Sequence, residues 1–204
     1  GWSRAVAEAM GLSCYADGRY EADDLIGTLA EYWRNRGHPI CVVTSDKDLA
    51  QLVGEKDLWW DFSRNQKLNA RQLTDKFGVE PHQMADYLAL TGDSVDNIPG
   101  VPGVGPKTAA ALLGHFDDLD AIWQRIEEVP HLSIRGAKSL HGKLDTHRKA
   151  AELARELTVI HTGVESALER PDVTRGAIDE ARLNRLFDDL SFGGMLRQRC
   201  LQTG

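Results

Sequence analysis

The stretch at residues 90–109, LTGDSVDNIPGVPGVGPKTA, decides how this 204-residue chain is interpreted. Its first part holds two acids, Asp93 and Asp96, with no nearby base to pair with. Its second part, residues 100–107, is a glycine-rich turn that opens a helix with proline at an allowed position. Such a turn suits an anion, because glycines let the backbone come close and the unpaired amides of the helix start face the ligand. Carboxylates for metals beside a turn for phosphate are typical of nucleases.

Two more groups of acids lie upstream of this stretch. They are Glu21, Asp23 and Asp24, at the start of a predicted helix, and Asp46 and Asp48, directly after a predicted strand. Each group alone has an ordinary explanation, because acids complement a helix N-terminus and aspartate is a common turn residue. Three groups together favour divalent metals, since magnesium takes hard oxygen ligands and close carboxylates repel one another without cations. Two such ions about 4 Å apart can activate water and stabilise a leaving oxygen.

Composition sets further limits on function. The net charge of −7 argues against a simple basic nucleic-acid binder, but residues 131–155 carry six Lys and Arg against two acids. Acidic and basic regions are therefore separate, which is compatible with DNA as a partner. No apolar run reaches membrane-spanning length, so no membrane partner is expected. Three cysteines without CxxC spacing argue against disulfides and zinc, and favour a reducing, cytoplasmic location.

The hydrophobic pattern predicts an α/β part followed by a helical part. We expect strands at residues 40–44, 58–62 and 157–160, and helices at 25–33, 49–53, 70–77, 81–91, 107–113, 119–126, 137–144, 148–157 and 180–190. The continuous apolar run at 40–44 predicts a buried parallel strand with Cys41 as a small core residue. Gly37 and Gly114 are expected to end their helices.

The glycine-rich turn has two interpretations. One is a plain connection between packed helices, which most such turns are. The other is the helix–hairpin–helix arrangement, which grips a DNA backbone without reading sequence. The apolar residues between the glycines, GVPGVGPKTA, favour the second interpretation. Carbonyls of such a turn can also hold a monovalent cation between protein and phosphate.

Three motifs together resemble the bacterial 5′-nuclease family, which includes the 5′–3′ exonuclease domain of DNA polymerase I and stand-alone flap endonucleases. They are EADDLIG at 21–27, TSDKDLAQL at 44–52 and LALTGDSVDNIPGVPGVGPKTA at 88–109. SIRGAKS at 133–139 and residues 186–196 also fit the family. The resemblance implies a partial PIN-like parallel-sheet nuclease core at residues 1–68. A helical domain with a helix–hairpin–helix (helix-3-turn-helix) motif would follow at 69–204.

The resemblance also assigns roles to residues. A first Mg²⁺ or Mn²⁺ would be held by Glu21, Asp23 and Asp24, and a second by Asp46, Asp48, Asp93 and Asp96. The duplex would be contacted by Gly100, Gly103, Gly105, Lys107, Thr108, Arg135 and Lys138. A potassium ion would be bound by backbone carbonyls near Leu90, Thr91, Val101 and Val104.

The family pattern begins with a strand that carries a metal-binding aspartate, followed by a further aspartate and a basic helical arch. None of these precedes Gly1, so we expect the chain to be a piece whose own cleavage is slower by orders of magnitude. The sequence predicts a monomeric, metal-dependent 5′–3′ exonuclease and flap endonuclease that acts on flapped, nicked or gapped DNA. The alternative is a catalytically inactive module that binds DNA structure through the hairpin.

Overall fold

The computed structural model describes residues 1–202 of the chain. Its elements in order are α1 (Trp2–Ala9), α2 (Ala22–Arg34), β1 (Cys41–Val43), a 3₁₀ helix (Asp48–Leu52), β2 (Leu58–Asp61), β3 (Gln66–Leu68), α3 (Ala70–Phe77), a 3₁₀ helix (Pro81–Gln83), α4 (Met84–Thr91), α5 (Pro106–Phe116), α6 (Leu119–Gln124), a 3₁₀ helix (Ile126–His131), α7 (Ala137–Thr158), α8 (Glu165–Leu168), α9 (Glu180–Asp189) and α10 (Gly194–Gln202). Within the described residues, no helix combines the length and apolar character needed to cross a membrane.

The chain forms two compact units. The first unit contains Gly1–Leu29 and the described residues from Gly163 onward, and the second unit is Ala30–Thr162. In the first unit, α1 packs on α9 through the buried residues Ala9, Leu183 and Phe187. A separate small core joins Leu25 of α2 to Val164 and Ala167. The first unit thus holds helices at both ends of the chain.

The second unit contains a three-stranded sheet in the order β1-β2-β3. β1 pairs in parallel with β2, and β2 pairs antiparallel with β3. The parallel pair at the predicted strands is confirmed, whereas the short β3 was not predicted. Parallel strands place ligand sites at their carboxyl ends. Asp46 and Asp48 follow the carboxyl end of β1, so the sheet positions that acid pair.

The prediction that β1 is fully buried is wrong. Val42 is buried, but Val43 is 57% exposed and Cys41 is exposed as well. The strand therefore has an alternating pattern, with one covered face and one open face. It also lies at the edge of the sheet and pairs on one side with β2. A continuous apolar run could not reveal which face would be covered.

The helix boundaries show where local patterns suffice. α3 covers the predicted residues 70–77. Its start is fixed by two hydrogen bonds: the Asn69 side chain accepts from the Gln72 amide at 2.9 Å, and the Gln72 side chain accepts from the Asn69 amide at 3.0 Å. This reciprocal pair is a capping box. Gly78, at φ +79°, ends the helix in the left-handed region. Local sequence alone accounts for both ends.

The predicted stop at Gly114 is wrong, since α5 continues to Phe116. Phe116 is buried in the core, and the Gln83 side chain donates to the carbonyls of Leu113 and Asp117. These carbonyls at the helix end are satisfied by a residue 30 or more positions away, so no local signal marked the end. The glycine lies within the helix and at its exposed surface.

The helices predicted at 137–144 and 148–157 are one helix, α7, which extends to Thr158. Leu144 and Ala151 are buried seven residues apart, so a single helix face continues through the polar segment between them. The strand predicted at 157–160 is also wrong. Buried Thr158 donates from its hydroxyl to the Ala154 carbonyl at 3.0 Å, which belongs to the last turn of α7. Tertiary burial overrides the local β preference here.

A hydrophobic core supports the stretch at residues 90–109. Residues 84–90 of α4 are all buried, as are Leu112 and Leu113 of α5 and Leu144 of α7. Burying a leucine side chain contributes about 1.5–3 kcal/mol, so these helices form a firm base. The segment between α4 and α5 carries the two acids and the glycine-rich turn. Both features are thereby held on one scaffold.

Candidate metal centre and nucleic-acid interface

Asp48, Asp93 and Asp96 form an acid cluster in the second unit. Each offers one carboxylate oxygen, and these oxygens lie within 4.8 Å of one another. Asp48 begins the 3₁₀ helix after β1, while Asp93 and Asp96 lie in the turn that follows α4. That turn is closed by paired backbone hydrogen bonds between Asp93 and Ile98, at 2.7 and 2.8 Å. Two distant chain segments therefore bring three hard oxygen donors together.

Asp48 shows the electrostatic strain of this cluster. Burial raises its pKa, the charges of Asp46, Asp93 and Asp96 act in the same direction, and together they bring it to about 7. Its Oδ1 atom is buried without a hydrogen-bond partner. An unsatisfied buried carboxylate oxygen costs free energy unless a cation reaches it. The orphaned oxygen and the all-oxygen donor set fit a hard divalent ion such as Mg²⁺ or Mn²⁺.

Asp93 has a cationic partner, which corrects the sequence-based expectation that it has none. The Lys47 ammonium lies 2.8 Å from Asp93 Oδ2, and the Asp93 side chain is only 2% exposed. Burial acts to raise the pKa of Asp93, but the hydrogen bonds from Lys47 and from the Val95 amide outweigh it, so the pKa is lowered. Lys47 stands inside the TSDKD motif, so the residue was visible in sequence, but its contact across the fold was not.

Asp46 has a different role in this structure from its neighbour Asp48. Its Oδ1 accepts from the Asp48 amide at 3.0 Å, and its carbonyl accepts from the Trp59 indole at 2.9 Å. These bonds shape the turn that carries Asp48. A recess of about 420 Å³ adjoins this turn and is lined by Ser45, Asp46, Lys47, Trp59, Arg64, Lys76, Phe77, Asp93, Val95 and Asp96. The recess thus presents acids and bases together.

Glu21, Asp23 and Asp24 lie in the first unit, at the start of α2. Asp24 Oδ2 accepts from the Glu21 amide at 3.1 Å, which is a helix-capping contact. Among residues 1–202, the acids that meet at a common ion position are those of the acid cluster, and these three do not form such a group. Their assignment to a metal stays a prediction.

The glycine hairpin, residues 100–107, depends on close backbone contact. Gly92 has φ +80° and Gly100 has φ +65°, a region that side chains disfavour. A Cβ atom on Gly100 would lie 2.4 Å from the Gly92 nitrogen. The Val101 amide donates to the Leu90 carbonyl at 2.8 Å, which ties the hairpin to the end of α4. Both glycines are therefore required by geometry, next to the acids that they flank.

The hairpin ends in the first turn of α5. Gly105 precedes the helix in an extended conformation, and Pro106 occupies its first position. Lys107 and Thr108 follow in that first turn, and the Thr108 amide donates to the Gly105 carbonyl at 3.0 Å. The first amides of a helix generally have no acceptor within the helix and can face a ligand. Gly103 has φ +84°, and a Cβ there would lie 2.6 Å from the Lys143 amine. The arrangement suits an anion at the hairpin surface.

The carbonyls predicted to hold potassium are partly engaged. The Leu90 carbonyl accepts from Val101, and the Val101 carbonyl accepts from Val104 at 2.9 Å. A carbonyl oxygen has a second lone pair, so each can still coordinate an ion. The potassium site stays a prediction.

The basic segment at 131–155 divides into two groups. Arg135 and Lys138 flank the start of α7 and are exposed. Arg148 pairs with Glu152 at 2.9 Å, and Arg155 pairs with Asp120 at 2.8 Å, so these two bases serve the fold. Lys143 is exposed over the hairpin glycine Gly103, a position that we did not predict. No local pattern could reveal it, because packing of α7 beside a distant turn creates the contact.

Comparison with known families identifies the chain. Residues 2–78 match the family described as 5′-3′ exonuclease, N-terminal resolvase-like domain. Residues 79–181 match the family described as 5′-3′ exonuclease, C-terminal SAM fold. The chain belongs to the 5′-3′ exonuclease family, which confirms the resemblance and the order of an α/β part before a helical part. The predicted domain division between residues 68 and 69 stays a prediction.

Relatives by sequence include polymerases and stand-alone nucleases. DNA polymerase I of Pseudomonas aeruginosa is 40% identical over 94% of this chain and 21% of its own length. The 5′-3′ exonuclease of Buchnera aphidicola subsp. Schizaphis graminum is 34% identical over 92% of this chain and 65% of that protein. Flap endonuclease Xni of Klebsiella pneumoniae is 37% identical over 79% of this chain and 62% of that protein. The chain spans less than two thirds of each of these relatives.

Solved structures confirm the fold. T5 5′-exonuclease with bound zinc has a TM-score of 0.61 at 20% identity, over 84% of this chain and 59% of that chain. The catalytic core of Rad2 in complex with DNA substrate has a TM-score of 0.62 at 16% identity, over 98% of this chain and 66% of that chain. At such identities the likeness concerns the fold.

Proposed function

We propose that this chain is the nuclease region of a divalent-metal-dependent 5′–3′ exonuclease and 5′-flap endonuclease. Its substrates would be flapped, nicked or gapped DNA in replication and repair. The observation that carries the proposal is the acid cluster, whose buried Asp48 oxygen has no hydrogen-bond partner. Two of its acids, Asp93 and Asp96, lie in one continuous segment with the glycine hairpin, in a chain of the 5′-3′ exonuclease family.

The metal would be held by the carboxylates of Asp48, Asp93 and Asp96, with Asp46 shaping the turn. A bound Mg²⁺ or Mn²⁺ would polarise the scissile phosphate and make water nucleophilic at neutral pH. The protein's own residues would orient the phosphodiester. Backbone bonds between Asp93 and Ile98 keep two of the acids at a fixed position relative to the hairpin. A gripped duplex would therefore present a defined phosphate to the cluster.

The DNA grip would come from the hairpin and the start of α7. Amides of the hairpin and of the first turn of α5 would meet one phosphate, with Gly100, Gly103, Gly105, Lys107 and Thr108 at its surface. Arg135, Lys138 and Lys143 would contact neighbouring phosphates. Such contacts position the duplex without reading its sequence. The catalytic core of Rad2, which has a similar fold, was solved in complex with its DNA substrate.

Two finer assignments complete the proposal. Glu21, Asp23 and Asp24 would hold another divalent ion, because the family resemblance assigns the EADD motif to a metal. Backbone carbonyls of Leu90, Thr91, Val101 and Val104 would hold K⁺ between the hairpin and a phosphate. The proposed division into a core at 1–68 and a helical domain at 69–204 places the acid cluster across both parts.

Cleavage of a 5′-flap duplex with Mg²⁺ tests the proposal. We expect the parent protein, meaning the full-length product of the gene, to cut the flap. We expect this chain to bind the same duplex. Asp93→Asn should abolish cleavage and leave duplex binding within about threefold, since binding depends on the hairpin. Glu55→Gln makes the same charge change as Asp93→Asn at an exposed turn and serves as the folding and charge control. If the parent binds flap DNA without cutting it under any divalent ion, the chain is a DNA-structure-binding module instead.

A further inference from the structure

Lys47 occupies an unusual electrostatic position. It stands between Asp46 and Asp48 in sequence, and its ammonium lies 2.8 Å from Asp93. The charge of Lys47 also acts on Asp48, against the charges of Asp46, Asp93 and Asp96. Asp93 is almost completely buried, so it cannot rely on water to balance its charge. In the structure as it stands, the ammonium supplies that balance.

An ammonium and a divalent ion compete for the same carboxylate, that of Asp93. A carboxylate oxygen that accepts a charge-assisted hydrogen bond from lysine cannot at the same time give its full charge to a metal. Two cations within a few ångströms also repel each other. Asp93 therefore changes partners when an ion enters the cluster, or the ion binds weakly.

The Lys47 side chain can move away from Asp93 at little energetic cost. Its side chain is 38% exposed, whereas that of Asp93 is 2% exposed. A lysine has a long flexible stem and a strongly hydrated head, so it can move to water at little cost. Asp93 cannot move in the same way, because its backbone is paired with Ile98 and its Oδ1 accepts from the Val95 amide at 2.9 Å. The exchange would thus move the lysine and keep the ligand in place.

We propose that Lys47 is a built-in counter-ion that neutralises Asp93 in the metal-free protein and is displaced when a divalent ion enters the acid cluster. The inference rests on the metal site of the proposed function and adds a residue that sets its affinity. Lys47 prevents charge repulsion without metal, and it makes metal binding weaker than the carboxylates alone would allow. It is a positioning residue, because it acts through Asp93.

Calorimetric titration of the chain with Mn²⁺, in the absence of DNA, tests this exchange. Lys47→Met removes the charge and keeps an apolar stem of similar length, and Lys47→Gln removes the charge but keeps a hydrogen-bond donor. Both should bind Mn²⁺ about tenfold more tightly, which corresponds to about 1.4 kcal/mol. Lys47→Arg keeps the charge and should bind like the unaltered chain. Lys56→Met makes the same change in net charge at an exposed turn and should also leave the affinity unchanged.

Thermal unfolding gives a second readout that does not depend on activity. In chelator, Lys47→Met should melt at a lower temperature than the unaltered chain, because the carboxylates lose their counter-ion. Saturating Mn²⁺ should remove that difference, since the ion replaces the lysine. The gain in melting temperature on adding Mn²⁺ should therefore be larger for Lys47→Met than for Lys56→Met.

The outcomes separate this inference from the proposed function. If the unaltered chain binds Mn²⁺ and both neutral variants bind it equally or more weakly, Lys47 does not compete and the inference is wrong, while the metal site stands. If Asp48→Asn leaves Mn²⁺ binding unchanged, the acid cluster is not the site and both ideas fail. Tighter binding by Lys47→Met that Asp48→Asn abolishes supports both.

Discussion

The acid cluster of Asp48, Asp93 and Asp96 and the acids Glu21, Asp23 and Asp24 look alike in sequence but differ in structure. In the acid cluster, three oxygens from two distant segments meet, and one of them is buried without a hydrogen-bond partner. In the other group, a carboxylate caps its own helix through the Glu21 amide. Closely spaced acids in sequence therefore do not by themselves make an ion site. The buried carboxylate of Asp93 and the unsatisfied oxygen of Asp48 distinguish the two groups.

The largest expected effect separates the two acid groups directly. Asp93→Asn should weaken Mn²⁺ binding to the acid cluster by at least about 100-fold, because it removes a buried ligand. Glu21→Gln should change that affinity by less than about threefold, since Glu21 is exposed and lies outside the cluster. Calorimetric titration of both variants measures the difference. Equal losses would show that the two groups act as one site.

The next effect concerns how the cluster is held. Gly100→Ala forces a side chain into the left-handed region and against the Gly92 backbone, so the free energy of unfolding should fall by about 2 kcal/mol or more. The neighbouring acids should lose their spacing, and Mn²⁺ affinity should fall as well. Gly114→Ala is the matched control, because it lies exposed in α5 with open space around it. That change should stabilise the chain by about 0.5–1 kcal/mol. Urea titrations that show equal stabilities would contradict this account of the hairpin.

The pH dependence of metal binding sharpens the comparison further. The pKa of Asp48 is about 7, raised by burial and then by the neighbouring acids. Metal must displace the proton, so Mn²⁺ affinity should fall about tenfold per pH unit below 7 and level off above it. The raised pKa also means that the folded state holds a proton that the unfolded state releases. The metal-free chain should therefore lose stability as the pH rises from about 4 through 7.

Mn²⁺ titrations between pH 5.5 and 8.5 measure the change in affinity, and urea unfolding of the metal-free chain between pH 4 and 8 measures the change in stability. Glu21→Gln is the control and should keep the same pH profile as the unaltered chain. Asp48→Asn should remove the stability change between pH 4 and 7. A pH-independent Mn²⁺ affinity in the unaltered chain would contradict the assignment of Asp48 as a buried ligand.

The smallest effect concerns the basic residues, which also divide into two kinds. Lys143→Met should weaken binding to duplex DNA by about three- to tenfold and reduce the salt dependence by about one phosphate contact. Arg148→Met should leave the salt dependence unchanged, because Arg148 is paired with Glu152. Fluorescence anisotropy at several salt concentrations gives both slopes. The same slope for the two variants would remove Lys143 from the interface.

Sequence patterns were sufficient where the determinants are local. The capping box at Asn69 and the left-handed Gly78 define α3 at both ends, and the three motifs defined the family. The glycine-rich turn was recognised because glycine and proline spacing constrains the backbone directly. Acids that follow a strand were expected at the carboxyl ends of the parallel strands, and Asp48 lies there.

Patterns failed where the determinant lies elsewhere in the chain. Gly114 did not end α5, because Gln83 satisfies the helix end from a distant position. The break predicted within α7, between residues 144 and 148, is absent, because one buried helix face continues through that segment. The Lys47–Asp93 contact and the position of Lys143 over Gly103 are also products of packing. Sequence therefore predicted candidate acids, while the fold showed that Asp48, Asp93 and Asp96 meet and what holds them.

A crystal structure of the chain grown with Mn²⁺, read by its anomalous scattering, tests the central claim most directly. The account predicts an anomalous peak within coordination distance, about 2.1 Å, of the carboxylate oxygens of Asp48, Asp93 and Asp96, with the Lys47 amine no longer on Asp93. A lattice that holds Mn²⁺ elsewhere, with the acid cluster empty and the Lys47–Asp93 pair intact, would contradict it.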